Sequence, residues 1–170
     1  MTSRERRPDG PIEKRRHIYA RPITVRRASV RIDHLRRWFA ADATIGEGRS
    51  FSVSWPGWPV QGRFDVWADD HVVMDWADPV DSSRVTIGFT AFNDEAAQTV
   101  LTFTHANLEG HPTLRERYVT WWDHYLDNLK TYCEAHERGE SLQMDVQVGF
   151  KAIGVVDVLA AKVAEQDGEG

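Results

Sequence analysis

The sequence predicts an α+β protein in which a curved antiparallel sheet of about six strands is covered by one long helix. Three observations lead to this fold class. Apolar and polar residues alternate between residues 49 and 107, helical periodicity runs from about 112 to 138, and one strand with two short helices precedes both. Because a sheet with one apolar face must bury that face, we expect the long helix to pack on it.

Five of the strands lie between residues 49 and 107, where short apolar alternations are joined by polar turns. The alternating segments are RSFSVSW (49–55), QGRFDVW (61–67), HVVMDW (71–76), RVTIGF (84–89) and TVLTFTH (99–105). Turns as short as PGWP, ADD and NDEAA predict an antiparallel meander. Trp58 lies in the first of these turns, and we expect it to be exposed at a pocket rim or a partner contact.

The start of the chain predicts a basic leader, an edge strand and two short helices. Residues 1–11 combine charge with two prolines and one glycine, which favours disorder. Residues 12–19 can form a strand whose charge suits a sheet edge. Pro22 predicts the start of a helix over 22–30, and Asp33 predicts the N-cap of a second helix ending near Trp38.

The long helix is framed by Pro112 near its start and Gly139 just beyond its end. Its apolar side chains recur at helical spacing and form a stripe that should face the sheet: Tyr118, Trp122, Tyr125, Leu129 and Cys133. Asp123 and Asp127 fall on the opposite, wet face. The folded domain therefore spans residues 12–138.

Residues 139–170 form a C-terminal extension beyond that domain. SLQMDVQV (141–148) alternates like a strand. An amphipathic helix is predicted after it, with an apolar stripe of Phe150, Ile153, Val156, Leu159 and Val163. Because this stripe is too long to leave exposed, the extension is expected to act as a lid or as a homodimer contact.

Composition indicates a cytoplasmic protein with an unusual number of tryptophans. One cysteine, Cys133, cannot form an internal disulfide, and no apolar run is long enough to cross a membrane. Seven Trp in 170 residues indicate either a crowded core or the wall of a bulky ligand site.

Charge is distributed unevenly along the chain. The first 37 residues hold twelve Lys/Arg and four acidic residues, while the rest of the chain holds nine and 22. The basic segment either folds against the acidic body or binds an anionic surface. Nucleic acid is not expected, because the basic residues are not interleaved with aromatics.

The segment 17–40 resembles the opening of the START-like (SRPBCC) superfamily, in particular the branch of heat-shock ATPase activator homologues. HIYARPITVRRASVRIDHLRRWFA (17–40) carries the main features of that branch: Ala20, Pro22, Val25, Ala28, Leu35 and Trp38. Gly62, Trp76, LTFTH (101–105) and the helix residues Trp122, Leu126 and Leu129 extend the resemblance over about 17–133. The resemblance implies a helix-grip fold with a cavity between the sheet and the long helix.

Three positions depart from the resemblance. Arg26 stands where the family usually has an aromatic residue, Ser29 where it usually has Leu, and Trp121 where Gly commonly precedes the helix Trp. A bulky Trp121 either narrows the cavity or contacts a particular ligand. The extension lies outside the resemblance altogether.

The predicted function is binding of a bulky apolar, aromatic small molecule in this cavity, without a cofactor or metal. By strand parity His105 points to the apolar face, where it would orient a ligand, act as acid or base, or bond within the core. The predicted lining is aromatic apart from this histidine: Trp38, Trp55, Phe64, Trp76, Phe89, Phe103, His105, Tyr118, Trp121, Trp122 and Tyr125. In the superfamily such binding often serves natural-product biosynthesis or self-resistance.

Two other function classes remain open. One is a cofactor-free polyketide cyclase or aromatase, with His105 moving protons. The other is a co-chaperone-like protein-interaction module, for which the cavity should be essentially filled. Asp123, His124 and Asp127 lie close together on the long helix, but their spacing matches no metal motif, and a solvated polar face is the expected arrangement.

Overall fold

Seven antiparallel strands form one curved sheet in a computed structural model that describes residues 10–93 and 95–168, without the side chains of 95, 96, 156 and 165–168. The strands are β1 (Ile12–Ile18), β2 (Asp42–Ile45), β3 (Ser50–Trp55), β4 (Trp58–Trp67), β5 (His71–Ala77), β6 (Ser82–Phe92) and β7 (Glu95–Ala106). Their order across the sheet is β1-β7-β6-β5-β4-β3-β2. The α+β helix-grip prediction is confirmed, and residues 1–9 of the predicted leader lie outside the described residues.

Within the sheet, two strands differ from the prediction. β2 was not predicted, because it has four residues and Ala43 alone among them is buried. β4 begins at Trp58, which pairs with Trp55, so the turn contains just Pro56 and Gly57. Trp58 is therefore fully buried, and the prediction of an exposed Trp58 is wrong.

The two short helices are α1 (Pro22–Val30) and α2 (Ile32–Trp38). Pro22 occupies the first turn of α1, as predicted. The N-cap of α2 is Arg31, and Asp33 lies in its first turn instead of capping it. Trp38 Nε1 donates to the carbonyl of Ala28 at 2.8 Å, which joins the end of α2 to α1.

The long helix, α3 (Pro112–Glu137), lies across the apolar face of the sheet. Its buried face is wider than the predicted stripe, since Trp121 and Leu126 are also buried. On its opposite face Asp123 accepts ion pairs from Lys14 at 3.1 Å and Arg16 at 3.0 Å. Arg16 also binds Asp127 at 2.9 Å, so part of the basic segment folds against the acidic body.

The extension contains α4 (Gln147–Lys151) and α5 (Val155–Gly168), and the strand predicted over 141–148 is wrong. Residues 141–146 alternate in burial, but they run beside helices and have no sheet neighbour. Met144 N donates to the carbonyl of Arg37 at 2.7 Å, and Gln143 Nε2 donates to that of Arg36 at 3.1 Å. Such an extended segment packs one face on the domain, which produces the alternation without a strand.

The extension is held to α3 through Tyr125. The hydroxyl of Tyr125 donates to the carbonyl of Val146 and accepts the N–H of Phe150 at 2.9 Å. Gly149 lies flat against the Tyr125 ring, where an added Cβ would come within 2.5 Å of a ring carbon. The apolar side chains of Ile153 and Val158 are buried, whereas Val163 is exposed.

The predicted stripe of the extension is thus interrupted. Gly154, with a φ of +58°, separates α4 from α5. The Val156 side chain lies outside the described set. Among the described residues, no helix combines the length and the apolar character needed to span a membrane.

Gly62 in β4 provides a test of close strand packing. A Cβ at Gly62 would lie 1.8 Å from the backbone oxygen of Asp75, whereas a Cβ at Gly88 would meet the movable Thr102 hydroxyl at 2.5 Å. We expect Gly62→Ala to lower the free energy of unfolding by about 3 kcal/mol and Gly88→Ala by about 1 kcal/mol. Urea unfolding of both variants measures this, and equal losses would contradict it.

Gly149 provides a test of how the extension is attached. We expect Gly149→Ala to push α4 away from Tyr125, because the methyl group overlaps the ring. Amide hydrogen exchange should then accelerate over residues 143–163 and stay unchanged in β6 and β7. The exposed Lys151→Ala on the same helix is the control, and similar exchange in both variants would disprove this attachment.

Candidate functional site

A small apolar cavity lies between the sheet and the two short helices. Its volume is about 30 Å³. Since one water molecule needs about 10–15 Å³ of such space, the cavity has room for a few waters at most, and a bulky aromatic molecule does not fit. The lining comes from α1, α2, α3 and β2 to β6: Ser29, Leu35, Trp38, Phe39, Thr44, Ile45, Phe51, Val53, Phe64, Met74, Trp76, Val85, Ile87 and Trp122.

Phe39 is the central side chain of this region and was not predicted. It follows directly after α2, and its ring stacks on Trp122 with centroids 5.6 Å apart. It meets the rings of Trp55 and Tyr125 edge to face, with ring centroids 4.9 Å and 5.0 Å apart. Phe39 therefore separates the cavity from the aromatic side chains further along α3. The adjacent pair Trp38–Phe39 at a helix end was the available sequence signal.

Trp121 fills the space beyond Phe39. Its ring centroid lies 4.4 Å from that of Trp55, 5.0 Å from Tyr125 and 5.6 Å from Tyr118. It is fully buried, and its Nε1 has no hydrogen-bond partner among the described residues. A buried donor without a partner costs about 1–3 kcal/mol. Trp121 thus narrows the interior while leaving one polar atom unsatisfied.

His105 is fully buried, as strand parity predicted, and both of its ring nitrogens are bonded. Trp122 Nε1 donates to Nδ1 at 3.0 Å. Because an indole N–H can donate but not accept, Nδ1 carries no proton and Nε2 carries it. Nε2 then donates to Ser83 Oγ at 2.7 Å, and Ser83 donates to the carbonyl of Trp76 at 3.3 Å.

This network keeps His105 neutral. Burial lowers the pKa of His105 to about 3, because a charged imidazolium would lose its hydration inside the core. A neutral imidazole with two satisfied nitrogens joins α3 to β6 and β7. In this arrangement His105 is a structural link between helix and sheet.

A second buried network runs through Tyr118. Trp76 Nε1 donates to the Tyr118 hydroxyl at 3.0 Å, and that hydroxyl donates to Asp78 Oδ2 at 2.5 Å. The other oxygen of Asp78 accepts the backbone N–H groups of Val80 and Asp81. Burial raises the pKa of Asp78, and burial with the adjacent carboxylate raises the pKa of Tyr118 well above its usual value.

The predicted site residues divide into two groups. Trp38, Phe64, Trp76 and Trp122 line the cavity. The remaining seven are buried around it and belong to the packed core: Trp55, Phe89, Phe103, His105, Tyr118, Trp121 and Tyr125. Sequence parity identified the inward-facing side chains, but it could not show which of them border empty space.

The acidic side chains of α3 have a different role. Asp123 and Asp127 bind Lys14 and Arg16, as described above. Within residues 10–93 and 95–168, no group of three or more His, Cys, Asp or Glu side chains could hold a metal ion.

Solved proteins with a similar fold include the three that follow. CalU16 from Micromonospora echinospora has a TM-score of 0.62 and 18% identity, and the match covers 85% of each chain. Aha1 from Colwellia psychrerythraea, solved as a dimer, has a TM-score of 0.63 and 20% identity over 77% of this chain and 98% of that one.

The third is DynU16 of the dynemicin biosynthetic locus, with a TM-score of 0.65 and 19% identity over 78% of this chain. Here the match spans 50%, or half, of the DynU16 chain. At these identities the likeness establishes the fold alone.

In sequence, no curated protein matches the chain. Residues 20–134 match the sequence model of a family described as activator of Hsp90 ATPase homolog 1-like protein. This match covers more than half of the chain and agrees with the resemblance found in residues 17–133. The chain belongs to the family of activator of Hsp90 ATPase homolog 1-like proteins, within the START-like superfamily.

Proposed function

We propose that this protein binds a small apolar, aromatic molecule in the cavity between the sheet and α2. The observation that carries the proposal is an apolar cavity bordered by Phe39, a single side chain whose movement would enlarge it. CalU16 and DynU16, the latter from a natural-product locus, share the fold and support a ligand of natural-product type. A bulky ligand requires Phe39 to move, since about 30 Å³ does not hold one.

Affinity would come from removing apolar ligand surface from water, at about 25 cal/mol per Å² before the costs of binding. The cost specific to this protein is displacement of Phe39 from Trp122, Trp55 and Tyr125. Trp121 Nε1, the unsatisfied donor beyond Phe39, would offer a hydrogen bond to a ligand oxygen. The ligand class is therefore a planar aromatic molecule with an acceptor oxygen.

In this proposal the extension would be a fixed cover over one side of the site and not the part that opens for the ligand. It holds the carbonyls of Arg36 and Arg37 at the end of α2, and it holds Tyr125 on α3. These contacts fix both elements that enclose Phe39. Dimerisation through the extension, the other role predicted for it, stays a prediction; the dimeric Aha1 of similar fold keeps it worth testing by sedimentation.

The cyclase alternative gains no support from the geometry of His105. An acid or base must reach the proton that it transfers, whereas His105 is fully buried and bonded at both nitrogens.

The protein-interaction alternative is favoured by one observation, the nearly filled interior around Trp121. A protein that binds partners through its surface needs no internal space. The next experiment separates this alternative from ligand binding.

Phe39→Leu should bind naphthalene at least tenfold more tightly than the unmodified protein, because the smaller side chain leaves space beside Trp122. Phe39→Ala should bind more tightly still, but its free energy of unfolding should fall by about 3–5 kcal/mol. Isothermal titration measures both affinities, and circular dichroism confirms that each variant is folded.

Phe92→Ala is the matched control, since Phe92 packs on His17 and does not line the cavity. Its naphthalene affinity should equal that of the unmodified protein. If folded Phe39→Leu and the unmodified protein both fail to bind, ligand binding is wrong and the protein-interaction alternative stands.

His105 gives a prediction about stability and pH. His105→Leu should lose about 2–4 kcal/mol, because it leaves the buried N–H of Trp122 without an acceptor and Ser83 Oγ without the N–H it accepts, whereas His105→Gln retains an acceptor and a donor. Since the folded pKa of His105 lies below its unfolded value, the unfolded state binds the extra proton between about pH 6.5 and 3.

Stability of the unmodified protein should therefore fall as pH decreases through that range, and the fall should be smaller in His105→Gln. Urea unfolding at pH 7.5, 5.5 and 4.5 measures the difference. Parallel pH profiles in the two proteins would refute the buried neutral imidazole.

A further inference from the structure

A surface groove of about 560 Å³ adjoins the cavity, and we call it the α2 groove. Its lining combines apolar and charged side chains: Val30, Arg31, Ile32, Asp33, Arg36, Ile45 and Trp67. Ile45 borders both the groove and the cavity. The groove lies where the junction of α1 and α2 faces β2 and the end of β4.

An aromatic pair also connects the groove to the cavity. Trp67 lines the groove and is 36% exposed, and tryptophan is enriched at interfaces, where one part of the ring is buried and another meets water. Its ring meets that of Phe64 edge to face at 4.7 Å, and Phe64 lines the cavity. Ile45 and Phe64 therefore lie between the α2 groove and the cavity.

The rim of the groove carries an excess of positive charge. Arg26 lies over Trp67 at 5.1 Å, and its Nε donates to the carbonyl of Ala68. Arg36 is already engaged by Asp42 at 3.3 Å and by the carbonyl of Ala43 at 2.9 Å. The two carboxylates near the rim are those of Asp33 and Asp42. They face three guanidinium groups, those of Arg26, Arg31 and Arg36.

We propose that the α2 groove is the entrance to the cavity and binds the carboxylate of an apolar carboxylic acid, with Arg31 as its main ligand. This inference rests on the proposed ligand binding. It adds that the ligand carries a negative charge and that it reaches the cavity through the α2 groove. A guanidinium matches a carboxylate with two parallel hydrogen bonds, and Arg31 lies exposed at the junction of the helices. The aromatic ring of the ligand passes Ile45 and enters the cavity.

The charge is tested with two probes of the same shape, naphthalene-2-carboxylate and naphthalene-2-carboxamide. At pH 7.5 the carboxylate should bind at least threefold more tightly than the carboxamide, and this ratio should fall to about one in Arg31→Gln. Arg27→Gln removes an equal charge from an exposed position on α1 outside the groove, and it should keep the ratio.

The route is tested by association rates in stopped-flow fluorescence. Ile45→Trp should slow association of the carboxylate at least fivefold by filling the passage. Gly149→Ala, which loosens the extension at the other side, should leave the rate within twofold of the unmodified protein. Faster association in Gly149→Ala with no slowing in Ile45→Trp would place the entrance under the extension and overturn the route.

The outcomes separate this inference from the function on which it rests. If neither probe binds even to Phe39→Leu, ligand binding fails and the inference fails with it. If both probes bind equally, or if Arg31→Gln retains the ratio, ligand binding stands and the carboxylate site is wrong.

Discussion

The hydrogen bond from Trp122 to His105 fixes the distance between the long helix and the sheet, and the interior depends on that distance. His105 is the second-last residue of β7 and reaches Ser83 on β6, so one imidazole joins three elements. Burial strengthens this hydrogen bond. It also makes loss of the bond costly, because the Trp122 N–H would then have neither a protein acceptor nor water. With the long helix held this close to the sheet, little space remains between them. Trp121 and Phe39 fill most of that space.

Strand and helix periodicity could predict much of the fold. Alternation gave the inward side of His105, Phe103 and Phe64, since side chains in a strand take opposite faces in turn. Helical spacing placed Trp122 and Tyr125 on the covering face in the same way. These predictions succeed because the local backbone alone decides which way such a side chain points.

The remaining features depend on contacts between distant segments. Phe39 follows the end of a short helix, where no period applies, and its position is set by Trp55, Trp122 and Tyr125. The sequence places Trp58 in a turn. In the structure Trp58 pairs with Trp55 and is the first residue of β4, so the turn is shorter than predicted. Residues 141–146 of the extension alternate in burial because one face of this extended segment packs against helices. In the sequence, that pattern looks the same as the alternation of a strand at a sheet edge. The size of a cavity is likewise a property of the whole packing.

A nearly filled interior is compatible with ligand binding when the filling side chain can be moved more cheaply than the walls. Phe39 is the C-cap of α2, and its N–H donates to the carbonyl of Leu35 at 2.9 Å, so its backbone is held while its side chain lies beyond the end of the helix. Apolar contact holds its ring, since a phenyl group makes no directional bond that a ligand ring could not replace. An aromatic ligand stacked on Trp122 would restore the contacts that Phe39 gives up. The small cavity and the aromatic lining are therefore two aspects of one arrangement, in which the protein's own ring occupies the place proposed for the ligand.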